Sequence, residues 1–158
     1  MAARTLRDIL SSIPYAAAPV EGVLTAGQPG PADWAALAEA GVRAVVDLRA
    51  PQEPRGHDEA TAVRDAGLRY VLLPIVQPYL GDEQFDRFRE VMRAETETPV
   101  MVHCATSNRV GGMLLPYFML DLGYGVEEAV ELAQRAGLRS PELATMALDY
   151  VRRTAGRG

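Results

Sequence analysis

Short β-branched runs alternate with amphipathic stretches along almost the whole chain, and this alternation restricts the fold more than any other feature. Gly22-Val23-Leu24-Thr25, Ala44-Val45-Val46-Asp47-Leu48, Tyr70-Val71-Leu72-Leu73 and Pro99-Val100-Met101-Val102-His103 each read as a strand, being short, apolar and bounded by loop residues. Trp34, Leu37 and Ala38 follow Pro31 at helical spacing and stop at Gly41. A second helix is expected over 58–66, closed by Gly67. Phe85, Phe88, Val91 and Met92 share one face of a helix over 82–94. Further helices are expected over 109–121, 126–136 and 141–153. The pattern predicts an α/β fold in three layers, a mainly parallel sheet of four to five strands with helices on both faces. Active residues then belong in the loops after strand C-termini.

At 158 residues the chain is about one domain long. A single domain over 1–158 is therefore expected, with its core at about 20–153 and no internal repeat or linker. A net charge of -5 argues against nucleic acid as a partner, because phosphate backbones are bound by clustered Lys and Arg. Arg4, Arg7 and Asp8 interrupt the N-terminal apolar residues, so no signal peptide is read, and no later run is long enough for a membrane span. Cys104 is the only cysteine, which excludes an internal disulfide and a zinc site built on several thiolates. A cytoplasmic protein without a membrane partner is expected.

The fourth strand delivers the chain directly to Cys104, and the run Val102-His103-Cys104-Ala105-Thr106-Ser107-Asn108-Arg109 then opens a helix. A strand that ends in a short polar loop before a helix aims several backbone N–H groups at one point, where the helix dipole also favours negative charge. Such a field favours a thiolate at the loop entrance. At its exit, the Arg109 guanidinium can bind two oxygens of a phosphate or sulfate at once. The blander reading makes Cys104 one more small apolar core residue; its place in a polar loop counts against that.

His-Cys followed closely by Arg, after an apolar strand, resembles the signature of the cysteine-dependent tyrosine and dual-specificity phosphatases. The run Leu24-Thr25-Ala26-Gly27-Gln28-Pro29, with Ala40-Gly41-Val42-Arg43-Ala44-Val45-Val46-Asp47-Leu48-Arg49, narrows the likeness to small bacterial phosphatase-like domains, also found fused to beta-lactamase-like hydrolases. That resemblance implies a phosphatase acting on a phosphorylated protein or small molecule through a cysteinyl-phosphate, with no cofactor or metal. Cys104 would attack phosphorus, and Arg109 with the amides of Ala105, Thr106, Ser107 and Asn108 would hold the phosphate. His103 would orient the loop and help keep the thiol ionised; it equally reads as a satisfied histidine at a strand end.

Several positions depart from the family pattern. The four residues between Cys104 and Arg109 make the loop one residue shorter than the common phosphatase loop. The same spacing is typical of rhodanese-like sulfurtransferases. Ser107 stands where many relatives carry glycine, and Val110 where a Ser or Thr normally assists departure of the thiolate. Gly111 and Gly112 are costly in a helix and imply close backbone packing. The resemblance places a general-acid Asp after the third strand, where the nearest candidate is Asp82; it equally suits a helix N-cap. Gln77 would line the site instead. Arg49 is a candidate substrate contact or a surface charge, and the loop with Glu53, Arg55 and His57 belongs on the same sheet edge. His57 and His103 are far apart and lack a spaced carboxylate motif, so a metal site is not expected. Three functions remain open: a phosphatase, a phosphate-binding module with little turnover, and a sulfurtransferase.

Overall fold

Four of the five strands in the structure are the β-branched runs read from the sequence, matched to within a residue or two. The structure is a computed structural model that describes residues 4–95 and 99–157. The first three residues and the last of the expected domain lie outside the described residues. In chain order the elements are α1 (Leu6–Ser11), β1 (Ala17–Val20), β2 (Val23–Ala26), α2 (Asp33–Glu39), β3 (Ala44–Asp47), α3 (Glu59–Asp65) and β4 (Arg69–Leu72). They continue with α4 (Asp82–Ala94), β5 (Val100–His103), α5 (Asn108–Pro116), α6 (Val126–Arg135) and α7 (Pro141–Gly156).

The sheet runs in the order β1-β2-β5-β3-β4. β2, β5, β3 and β4 are parallel, and β1 joins the edge antiparallel to β2. β5 is thus central. Its last residue, His103, lies level with Ala26 of β2 and Asp47 of β3. The loops after these three strands therefore meet at one sheet edge, which is the arrangement a strand-end active site requires.

Side chains alternate across the sheet, as strand geometry demands. Val46, Val100 and Val102 enter a core beneath α4 to α7, with Phe85, Phe88, Met113, Leu114 and Phe118. Val45, Met101 and Leu24 enter a second core under α1 to α3, with Ile9, Trp34, Leu37 and Val63. The three-layer expectation holds.

Two elements escape the sequence reading. α1 is fixed by a capping box in which Thr5 Oγ1 accepts from the Asp8 amide and Asp8 accepts from the Thr5 amide. β1 contains Pro19, tolerated because β1 is an edge strand. The helix expected over 109–121 stops as α5 at Pro116 and passes into a single π-type turn, Tyr117–Asp121. Among the described residues, no helix is long and apolar enough to cross a membrane.

Candidate active site

β5 ends against its two neighbours and pins the start of the loop. The Cys104 amide donates to Ala26 O (3.3 Å) and the Leu48 amide to His103 O (3.0 Å). On the β2 side, the Gln28 amide donates to Ala105 O (3.2 Å). Gly27 makes this approach possible, since a Cβ there would lie 2.7 Å from Ala105 O. This is the physical content of the Gly-Gln-Pro segment: the preceding strand's loop presses directly on the one that carries Cys104.

Ser107 adopts a left-handed conformation (φ 68°), an arrangement that costs a residue with a Cβ but suits glycine. Its hydroxyl donates to Ala136 O at 2.6 Å and so holds the strained turn in place. Asn108, the first residue of α5, accepts at Oδ1 from the amides of Arg139 and Ser140, tying the loop to the α6–α7 connection. Gly111 packs on that connection too: a Cβ there would lie 2.5 Å from Leu138 N and 2.6 Å from Ala133 O. Gly112 meets the Leu143 side chain of α7 in the same way. The close packing expected of the two glycines is present.

A cavity of about 430 Å³ lies over the loop, lined by Ala50, Gln52, Glu53, Ile75, Val76, Gln77, Cys104, Thr106, Asn108 and Arg109. Cys104 is buried except where it meets this cavity. Arg109 extends from the first turn of α5 along its wall. It donates from Nη1 to Glu53 Oε2 and from Nη2 to Glu53 Oε1, both at 2.9 Å, and from Nη1 to Ile75 O at 3.2 Å. Glu53 reinforces the arginine's positive charge most, and the Cys104 sulfur beside it adds to the effect. In return, Arg109 holds the Glu53 carboxyl down at about 2, helped by the Ala50 amide and by Arg49.

Behind the loop lies a continuous polar network. His103 Nε2 is 2.6 Å from Glu59 Oε2, and its Nδ1 is 3.3 Å from Cys104 O. Gln28 Nε2 donates to Glu59 Oε1 (2.7 Å), while Arg49 Nη1 donates to Gln28 Oε1 (2.9 Å) and Arg49 Nε to Glu53 Oε1 (3.1 Å). Asp47 accepts from Arg55 Nε, Tyr70 Oη and the Arg49 amide. Burial pushes the Asp47 carboxyl up, but Arg55, His103, Tyr70 and the Arg49 amide together hold it below the usual range. Burial and Asp47 push the Tyr70 hydroxyl well up.

Asp47, Glu59 and His103 offer ligand atoms within 4.8 Å of one another, a cluster that spacing in the sequence does not suggest. Those atoms already face Arg55, Tyr70, Gln28 and each other, and the Arg55 cation offsets part of the acidic charge. A donor set so engaged does not suit a cation.

Two sequence expectations need correction, those for Arg49 and Asp82. His103 and Ser107 are fully buried, with their side-chain polar atoms bonded away from the cavity, so His103 braces the loop and Ser107 can face an anion only through its backbone. Arg49 does not line the cavity either, because Glu53 and Gln28 take its guanidinium. Asp82 sits in the first turn of α4, where it pairs with Arg153 of α7 at 2.6 Å. It is not the N-cap, which is Gly81, with Gln84 accepting from the Gly81 amide. Gln77, Thr106 and Asn108 do line the cavity, and Ala105 contributes its backbone to the loop. Sequence reasoning places Glu53 on the right edge but misses its hold on Arg109; it quotes Gln28 in the Gly-Gln-Pro run without a role for its side chain, and it misses Glu59. No local signal marks Glu59, which opens α3 twelve residues after β3 ends.

Residues 19–147 match the protein family described as a DSP-PTPase phosphatase fused to NAD+ kinase. A beta-lactamase hydrolase-like protein of Xylella fastidiosa (strain 9a5c) is 30% identical over 158 aligned residues, covering 83% of this chain and 36% of the relative. Its counterpart in Agrobacterium fabrum is 31% identical over 93 residues, covering 56% of this chain and 21% of the relative. The chain thus spans about a third or less of the curated relatives it matches. Among solved structures, a Shewanella putrefaciens CN-32 protein provisionally designated a phosphatase superposes with a TM-score of 0.78 at 21% identity, covering 92% of this chain and 96% of the other. TpbA of P. aeruginosa gives 0.66 at 24% identity, covering 90% and 86%. At such identities the structural likeness shows a shared fold.

Proposed function

We propose, from the premise that this chain belongs to the DSP-PTPase phosphatase family, that it hydrolyses a phosphate monoester through a cysteinyl-phosphate on Cys104. The observation that carries this reading is the placement of Arg109 beside the Cys104 sulfur on the wall of one open cavity, its fork fixed by Glu53. Nη1 uses both its hydrogens, on Glu53 and on Ile75 O, and Nη2 one, which leaves Nε and the second Nη2 hydrogen to bind phosphate oxygens together with the loop amides. The sulfur then attacks phosphorus in line, and water later breaks the P–S bond and returns the thiolate. His103 and Glu59 are positioning residues in this scheme.

The substrate is a phosphorylated protein or small molecule. TpbA has been crystallised with pTyr and PTPMT1 with PI(5)P, so the fold accommodates both kinds of phosphate. Residues 20–153 form the core of a single phosphatase domain, and the lone thiol suits the reducing cytoplasm.

Phosphate release from an aryl phosphate, measured with a metal chelator present, tests the proposal. Turnover that disappears in Cys104→Ser supports it, and equal turnover by that variant rejects it. A second reading, a phosphate-binding module with little turnover, draws support from Val110, which buries an apolar side chain where the family resemblance implies a hydroxyl. Phosphate or vanadate binding by calorimetry, without phosphate release, would favour it.

A further inference from the structure

Hydrolysis at this site, if the phosphatase reading holds, requires a proton to be found for the leaving group. When the P–O bond breaks, its electron pair leaves with the departing oxygen. That oxygen needs a proton from a nearby acid or must leave as an oxyanion.

The ionisable groups on the cavity wall, among the described residues, are Cys104, Arg109 and Glu53. Cys104 is the nucleophile and Arg109 has no proton to give. Glu53 accepts from both terminal nitrogens of Arg109, from Arg49 Nε and from the Ala50 amide, so all its lone pairs on that side meet donors. A carboxylate so held stays ionised and cannot act as an acid. His57 lies on the adjacent surface, but Trp34 Nε1 donates to its Nε2 (2.8 Å). Its other ring nitrogen, Nδ1, is turned to Arg55 O at 3.1 Å, so both nitrogens are engaged away from the cavity. Asp82 pairs with Arg153 and does not line the cavity. The loop after β4 presents Ile75, Val76 and Gln77 to the cavity, none of them ionisable.

We propose, resting on that phosphatase reading, that none of the described side chains protonates the leaving group, and that the substrates are phosphates of acidic leaving groups such as phenols, carboxylic acids or a second phosphate. Alkyl phosphates, including those of serine, glycerol and inositol, are poor substrates. In the first step sulfur bonds to phosphorus, the P–O bond breaks, and the oxyanion takes its proton from solvent. In the second, water attacks phosphorus, the pair returns to sulfur, and the water proton passes to solvent.

The test is kcat/KM for the unaltered chain over aryl phosphates of graded leaving-group pKa, with acetyl phosphate and phosphoserine as the extremes. The expected result is a steep fall with rising pKa, and phosphoserine slower than phenyl phosphate by about 10²–10⁴-fold, the usual contribution of a general acid. Asp82→Asn should track the unaltered chain across the series. Gln77→Asp, which sets a carboxyl on the cavity wall, should speed the slow substrates selectively and flatten the slope. A shallow slope in the unaltered chain, or a loss in Asp82→Asn confined to poor leaving groups, overturns the inference and leaves the phosphatase reading intact. No Cys104-dependent release even from p-nitrophenyl phosphate overturns both.

Discussion

Glu53 grips Arg109 with both carboxylate oxygens, each 2.9 Å from a different terminal nitrogen, although 56 positions separate the two residues in the chain. The contact joins the loop after β3 to the first turn of α5, and it decides which edge of the guanidinium faces the cavity. Replacing Glu53 with Gln keeps the shape but removes the charge. Phosphate affinity, read by calorimetry, is expected to fall by about tenfold, equivalent to roughly 1.4 kcal/mol.

The same pair should show in the acid stability of the fold. The Glu53 carboxyl sits at about 2 in the native state against an ordinary value of 4.5. The unfolded chain therefore takes up this proton first as pH falls, and the stabilisation, complete above pH 4.5, is lost progressively toward pH 2. After discounting for partial exposure, it amounts to about 2 kcal/mol. Urea titrations at stepped pH should show a shallower acid decline for Glu53→Gln; an unchanged decline would assign acid sensitivity to other carboxylates.

Arg109→Lys keeps the positive charge but loses the fork. One ammonium cannot bridge the two Glu53 oxygens and still offer a parallel pair of donors to phosphate. The expected loss in vanadate binding is that of one charge-assisted hydrogen bond, about 1.5–3 kcal/mol. Affinity retained by the lysine variant would mean that the loop amides alone hold the anion.

Glu59 is buried at the centre of the network beneath Cys104, between His103 and Gln28. Glu59→Gln disturbs the buried hydrogen bonds to His103 and Gln28, and leaving a buried polar group without its partner costs about 1–3 kcal/mol. Chemical denaturation should register that loss. Glu131→Gln removes an exposed partner of Arg135 and should change stability by less than about 0.5 kcal/mol.

Gly111→Ala drives a Cβ into the backbone between α6 and α7, which has no flexible end to yield. Destabilisation of about 1–3 kcal/mol is expected, with weaker phosphate binding because that connection also anchors Asn108. Gly156→Ala, where nothing lies within 4 Å, should lose no stability.

How much of the molecule is legible in its sequence depends on the range of the interactions. The strands declare themselves because apolar periodicity is a local signal, and Cys104 and Arg109 because one strand, loop and helix place them. Ser107 is recognisable as a glycine position, and its positive φ supplies the reason. β1 and α1 are hidden by Pro19 and by the charges at Arg7 and Asp8, which dilute the local pattern. The support beneath the loop is hidden more deeply. Glu59 reaches His103 across 44 positions and Gln28 across 31, and nothing in the separate segments marks them as partners. Asp82 stands out by its distance from β4, but the fold turns it toward Arg153.

Catalysis as proposed depends on a covalent bond between phosphorus and one sulfur atom. Mass spectrometry of the protein, quenched in acid during turnover of p-nitrophenyl phosphate, reads that bond without an intermediary. Phosphate is expected on the peptide that contains Cys104, formed and consumed at the rate of turnover. Full turnover with that peptide never modified, and with Cys104→Ser as active as the parent, would contradict it.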